Sequence, residues 1–185
     1  MTDLVVFLGP PGAGKGTQAL RIASEFNLAH ISTGDMLREH VRELTPLGKI
    51  AKSLLDEGKL VPDDLVIQML IERLSHEDCL GGSILDGFPR TLPQAESLEK
   101  ISNNFPVRKV IVFEAGQEEL TKRILLRGEI SGRSDDKEDS IRVRLEVYQK
   151  DRELLINFYE DKGIVTKVNA VGDIDDIFKL ISKEF

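Results

Sequence analysis

Cysteine, tryptophan and an excess of basic charge are what this chain of 185 residues lacks: it has one Cys, no Trp, and 25 Lys plus Arg against 32 Asp plus Glu, a formal charge of -7. The lone Cys79 can neither close an internal disulfide nor build a cysteine-rich zinc site, so a disulfide scaffold is excluded and a reducing compartment is expected. The acidic balance excludes a uniformly basic surface and, with it, non-specific binding to duplex nucleic acid. Any polyanionic ligand must be small and gripped locally. Long hydrophobic runs are missing too. The run Leu4-Val5-Val6-Phe7-Leu8 falls far short of the roughly 20 residues a membrane helix needs, and the N-terminus has neither the basic start nor the cleavage site of a secretory signal. A soluble, unprocessed, cytoplasmic protein without membrane or nucleic-acid partners is expected.

What is present reads as one globular domain over residues 1–185, with 41% hydrophobic and 31% charged residues. Leu4 to Leu8, Ser83-Ile84-Leu85, Val107 to Phe113 and Ile164 to Val168 are short continuous apolar runs, with Ala29-His30-Ile31 a weaker fifth. Such runs are strands buried on both faces, and the helical patterns between them imply a parallel sheet with crossover helices. Thr45-Pro46 opens a helix ended by Gly58, and Val61-Pro62-Asp63-Asp64 opens another without an intervening strand. Residues 32–61 therefore form a helical insertion into an α/β core. From Asp139 to Lys162 the apolar residues Ile141, Leu145, Tyr148, Leu155, Phe158 and Tyr159 keep helical spacing, as the core stripe of one long helix. The polar, glycine-bearing stretch Gly128 to Lys137 is expected to be a mobile loop.

Chemistry enters at Gly9-Pro10-Pro11-Gly12-Ala13-Gly14-Lys15-Gly16-Thr17, between the first strand and the first helix. Glycines there let backbone N–H groups wrap phosphates, the helix N-terminus adds positive potential, and Lys15 can reach the β- and γ-phosphate oxygens. The usual pattern places Ser or Thr after the lysine. Gly16 stands there instead, with Thr17 one place on, which weakens direct coordination of a metal by a hydroxyl. Asp86 ends the third run, where a carboxylate beside a phosphate loop can hold magnesium through its waters; the alternative is a surface turn aspartate.

Five segments in order, GPPGAGKGTQ from Gly9, STGDMLR from Ser32, GKLV from Gly58, DGFPRTLPQ from Asp86 and GRSDD from Gly132, closely resemble the adenylate kinase family across essentially the whole chain. The resemblance implies a P-loop NTPase-type three-layer α/β fold with a five-stranded parallel sheet, a helical AMP-binding insertion at 32–61 and a lid at about 126–136. It is to the short-lid form, because so few residues separate Arg127 from Arg133, and no zinc is implied. The implied activity is Mg·ATP + AMP ⇌ 2 ADP, serving adenine-nucleotide balance, with ATP, AMP and ADP as the ligands of a monomer. Gly12, Ala13, Gly14, Lys15, Gly16 and Thr17 would bind the ATP phosphates. Arg127 would contact ATP from the lid, Arg123 would lie near its base, and the Gly172 backbone would meet the adenine. For AMP the resemblance implies Thr33, Arg38, the base-pocket residues Lys59, Leu60 and Val61, the approach by Gly87, Phe88, Pro89 and Arg90, and Gln94 reading the adenine edge. Arg133 and Arg144 complete the clamp. Thr33 and Thr91 favour adenine, since the similar uridylate-cytidylate kinases typically have Ala and Asn there; the alternatives kept are such a UMP/CMP kinase or an ATP-binding switch.

Phosphoryl transfer between two nucleotides needs fixed positive charge more than a nucleophile. Lys15, Arg38, Arg90, Arg127, Arg133 and Arg144 fit, because guanidinium forks grip two oxygens and stay charged. An AMP phosphate with its second pKa near ~6 is already largely a dianion, so no general base is assigned. His30, His40 and His76 fall outside the motifs and read as structural or solvated, and Cys79 as a small inert side chain. Arg21, Arg42, Arg73, Arg108, Arg142 and Arg152 read as surface charges. Asp135 and Asp136 either start the long helix or organise the lid arginines. The insertion and the loop are expected to close when both nucleotides bind.

Overall fold

A computed structural model describes residues 3–131, 133 and 135–185. Strands β1 (Leu4–Leu8), β2 (Ala29–Ser32), β3 (Ser83–Asp86), β4 (Val107–Glu114) and β5 (Val165–Asn169) form one all-parallel sheet in the order β2-β3-β1-β4-β5. Each expected run is a strand. Side chains of a strand alternate between faces, and here the alternation divides the core in two. Leu4, Val6 and Leu8 join a cluster on one face with Leu37, Leu70, Leu98 and Leu155, while Phe7 joins Ile22, Ile124 and Ile177 on the other. The Phe7 and Phe113 rings lie 5.1 Å apart in that second cluster. Helices thus cover both faces, as the continuous apolar strands require.

The first face carries α2 (Thr33–Arg42), α3 (Pro46–Asp56), α4 (Asp63–Leu74), α5 (Leu92–Lys100) and the C-terminal half of α7 (Glu138–Glu160). Against the second lie α1 (Lys15–Phe26), α6 (Gln117–Ser131) and α8 (Ile174–Ser182). Thr45 caps α3 by accepting a hydrogen bond from Gly48 N, with Pro46 in the first turn, as the punctuation predicts. The long helix starts and ends within two residues of its expected span.

The expected loop from Gly128 to Lys137 is shorter than its composition suggests. Helix α6 continues through Ser131, so only its end connects to α7, and Gly132 and Ser134 of the GRSDD segment lie outside the described residues. Gly128 is there for close approach rather than to break the helix. A Cβ on it would stand 3.0 Å from Asp136 Cβ and 3.2 Å from Asp136 O, so glycine lets the returning chain rest on α6.

Candidate active site

The carboxyl ends of β1 and β3 open into a cleft of about 1110 Å³, more than one small-molecule pocket needs. Among the described residues ten of the side chains lining it are Lys or Arg and three are Asp, so the cleft inverts the charge of the chain around it. On the β1 side, Gly12 and Gly14 take left-handed backbones, φ +82 and +84, turning the loop into α1. Lys15 Nζ donates to Gly9 O at 2.8 Å and Pro10 O at 2.9 Å, neutral acceptors that anchor the ammonium without cancelling its charge. Burial, with Arg90, Arg144 and Arg127 nearby and only Asp86 opposing them, brings its pKa down to about 8. Asp86 stands across from it. Burial pushes its carboxyl up, but His30, Lys15 and Arg90 outweigh that and hold it below the usual carboxylate range. The departure at Gly16 acquires a physical reason, because a Cβ there would come within 3.1 Å of Asp86 Oδ2. His30 lines the cleft rather than sitting apart from the motifs. Its buried Nε2 has no hydrogen-bond partner among the described residues and lies 3.7 Å from Asp86 Oδ2.

Opposite the loop, arginines from four segments are held together by three carboxylates. Arg127, near the end of α6, donates to both oxygens of Asp136 at 2.7 and 2.6 Å, and Arg144 of α7 reaches Asp136 Oδ1 at 2.9 Å and Asp135 Oδ2 at 3.1 Å. Arg38 of α2 pairs with Asp35, and Arg133 Nη2 reaches the same Asp35 Oδ1 at 3.1 Å. Arg90 Nε donates to Gly87 O at 2.8 Å and has no carboxylate partner among the described residues. Although open to the cleft, it is ringed by other guanidinium groups, and desolvation followed by Arg144 lowers its pKa to about 10. Asp135 and Asp136 are buried and precede α7, which starts at Glu138 after Lys137, so of the two sequence readings the structure selects the one in which they organise the arginines. Burial raises the Asp136 carboxyl, and Arg127 and Arg144 more than reverse that.

Of the residues expected at the site, Gly12 to Thr17, Arg38, Lys59, Leu60, Asp86, Gly87, Pro89, Arg90, Arg123, Arg127, Arg133, Arg144 and Gly172 line the cleft. Arg123 is fixed by Glu119 and by Ala170 O at 2.9 Å, near the φ +130 turn of Gly172. Thr33, Val61, Phe88 and Gln94 do not line it. They are buried just behind its wall: Thr33 Oγ1 donates to Gly87 O at 2.9 Å, and Gln94 Oε1 accepts from Arg90 N at 2.7 Å. Sequence reasoning missed the apolar lining, Leu20, Leu126, Ile130 and Ile174 on one side and Leu55, Leu155 and Ile156 on the other. Tyr148, read as core, lines the cleft as well, as do Arg21 and Arg152, read as surface charges. Arg21 pairs with Asp175 and stacks over the Phe178 ring at 4.4 Å. Among the remaining residues expected to be bland, His40 bonds Thr45 Oγ1 at 3.0 Å and Cys79 is fully buried.

A phosphate loop at the carboxyl edge of a parallel sheet, facing converging arginines across a basic cleft, defines a P-loop phosphotransferase. The adenylate kinase family model matches residues 7–164. Adenylate kinase of Thermus thermophilus is 46% identical over 179 residues, covering 96% of this chain and 94% of the relative. That of Kocuria rhizophila is 44% identical over 183 residues, 98% of this chain and 97% of its own. That of Methanothrix thermoacetophila is 44% identical over 207 aligned positions, more than this chain contains, covering 97% and 96% of the two. The chain belongs to the adenylate kinase family.

Proposed function

We propose that the chain transfers the terminal phosphoryl group of ATP to AMP in line, giving two ADP, and runs equally in reverse. The observation that carries this is the double set of cations: a lysine anchored in the phosphate loop and, facing it, arginines 38, 90, 127, 133 and 144 from separate segments. A protein that only bound or hydrolysed ATP would need the first set alone. Lys15 would move from the carbonyls of Gly9 and Pro10 to the phosphate oxygens, and Arg38, Arg127, Arg133 and Arg144 would exchange Asp35, Asp135 and Asp136 for phosphate, stabilising charge where it builds up in transfer. Arg38 and Arg90 belong to the acceptor side in this reading, Arg127 and Arg123 to the ATP side, and Arg133 and Arg144 between them. Lys59, Leu60 and Leu55, with Val61 buried behind them, would hold the AMP base; Leu126, Ile130 and Ile174, with Gly172, would hold that of ATP.

Magnesium fits at Asp86. Its carboxylate is held ionised, Gly16 leaves it room, and the partnerless His30 Nε2 beside it is suited to a water of a hydrated ion. When bound with ATP, the ion supplies neutralisation of phosphate charge. Residues 32–61 act as the AMP-binding insertion and the segment about 126–136 as a short lid, already touching through Arg133 and Asp35. Slower hydrogen exchange in both segments with a bisubstrate ligand than without it checks their closure. A monomer is proposed: of the exposed large apolar side chains Leu20, Leu126, Ile130 and Ile174 line the cleft, while Leu44, Leu80 and Leu154 stand on separate segments. Among the described residues no helix is long and apolar enough to cross a membrane, and a cytoplasmic location is proposed on the free buried cysteine.

ADP formation that depends on AMP and is lost in Lys15→Ala is the expected result. ATP hydrolysis without AMP would overturn the reading, and an acceptor panel in which UMP or CMP outran AMP would overturn the adenine assignment.

A further inference from the structure

Gln94 is 2% exposed, and its amide is held from both ends. Arg90 N donates to Oε1 at 2.7 Å, and Nε2 donates to Asp63 Oδ1 at 2.6 Å, while Thr91 Oγ1 donates to the other Asp63 oxygen at 3.2 Å and accepts from Gln94 N at 3.3 Å. A carboxylate only accepts and a backbone N–H only donates, so one of the two amide orientations satisfies both neighbours and the other opposes both. Two bonds of the amide's four are thereby used. One N–H and one oxygen lone pair have no partner among the described residues; Gln94 lies behind the cleft wall here, so a base would meet that pair only where the wall opens, and the pair has a direction: adenine offers an acceptor at N1 and a donor at N6, whereas hypoxanthine offers a donor at N1–H and an acceptor at O6. Turning the amide over exchanges the base it complements.

We propose that Asp63 is the positioning residue for acceptor-base selectivity: by taking the Gln94 N–H it locks the orientation that suits adenine. This rests on the reading that Gln94 meets the AMP base. Asp63 is favoured over Arg90 N as the main lock because its bond is charge-assisted, and such bonds contribute about twice what a neutral one does. Asp63 is also the first residue of α4, where any acid would favour the helix N-terminus. Exposed Asp64, beside it in the same turn, shares that role without touching Gln94 and serves as the control.

The test is kcat/KM with AMP and with IMP as acceptors at saturating ATP, together with the KM for ATP, for the parent and for Asp63→Ala, Asp63→Ser, Asp63→Asn, Asp64→Ala and Gln94→Leu. In Asp63→Ala the preference for AMP over IMP is expected to fall about tenfold, mostly through KM for AMP, with KM for ATP unchanged. Asp63→Ser, whose hydroxyl suits a helix start but is too short to reach Gln94, behaves alike and serves if the alanine variant does not fold. Asp63→Asn restores the preference, since its carbonyl still accepts from Nε2, and Asp64→Ala leaves it as in the parent. Equal losses for AMP and IMP in the Asp63 variants, or an unchanged ratio, with Gln94→Leu indiscriminate, would overturn the role of Asp63 alone. A Gln94→Leu enzyme that kept the parent preference would overturn the reading of Gln94 and this proposal together.

Discussion

The two sides of the cleft hold their cations by opposite means. The phosphate loop fixes Lys15 with two uncharged carbonyls, those of Gly9 and Pro10, whereas across the cleft Asp35, Asp135 and Asp136 hold Arg38, Arg127, Arg133 and Arg144 with full negative charges. A dipole restrains a cation weakly and leaves its field intact. A carboxylate restrains it strongly and must be displaced before the cation can serve a phosphate. On the proposed reading the loop side is ready before ATP arrives, while Arg38, Arg127, Arg133 and Arg144 are held by internal stand-ins for a phosphate and would serve only by exchange.

The largest effect should come from removing the charge on the loop side. Lys15→Met is expected to lower kcat about a thousandfold with little change in the melting temperature, by steady-state rates and calorimetry. On the other side structure and activity are coupled. Asp136 is fully buried beneath Arg127 and Arg144, so Asp136→Ala should cost about 2 kcal/mol in denaturant unfolding and also lower kcat/KM for AMP, about tenfold. Equal stability losses in both variants would break the comparison. Acid sharpens it: because the Asp136 carboxyl is held below its ordinary value of 3.8, its stabilisation is present above that value and lost as pH falls through the lower one in the folded chain.

Base acts on the loop instead. With Lys15 titrating at about 8 in the free enzyme and phosphates favouring its charged form, ATP binding above that pH must take up a proton; affinity should fall about tenfold per pH unit there, by calorimetry in buffers of different ionisation heat. The smallest effect is expected at Arg42. Its pair with Glu39 is solvent-exposed, 74% and 59% by side chain, so Arg42→Ala should change stability by less than about 0.5 kcal/mol and leave KM for AMP alone.

The same division governs what the sequence could tell. The loop side was legible because its geometry is local: glycines, lysine and helix start lie within one stretch, and the strands that aim it are uninterrupted apolar runs. The arginine side was legible only as a set of positions carried over from resemblance. Which carboxylate serves which arginine depends on contacts such as Arg133 with Asp35, far apart in the chain, and no spacing encodes those. The apolar wall was illegible for a different reason. Tyr148, Leu155 and Ile156 all line the cleft, the last two while also buried in the core beside Tyr159 of the same helix, and hydrophobic periodicity marks a stripe without saying whether protein or ligand will cover it. Gly128 misled because glycine in a polar stretch signals a turn as readily as close approach.

The sheet order carries a last consequence, for how the chain is made. Strand β1 is synthesised first yet lies at the centre, with Leu4 beside Ser83 on one flank and Val107 on the other. On the ribosome it must wait for both neighbours, about 5–20 s at ordinary translation rates, with an apolar strand and its glycine loop unsupported. Of the five strands, the one translated before the others is thus among the last to acquire its neighbours.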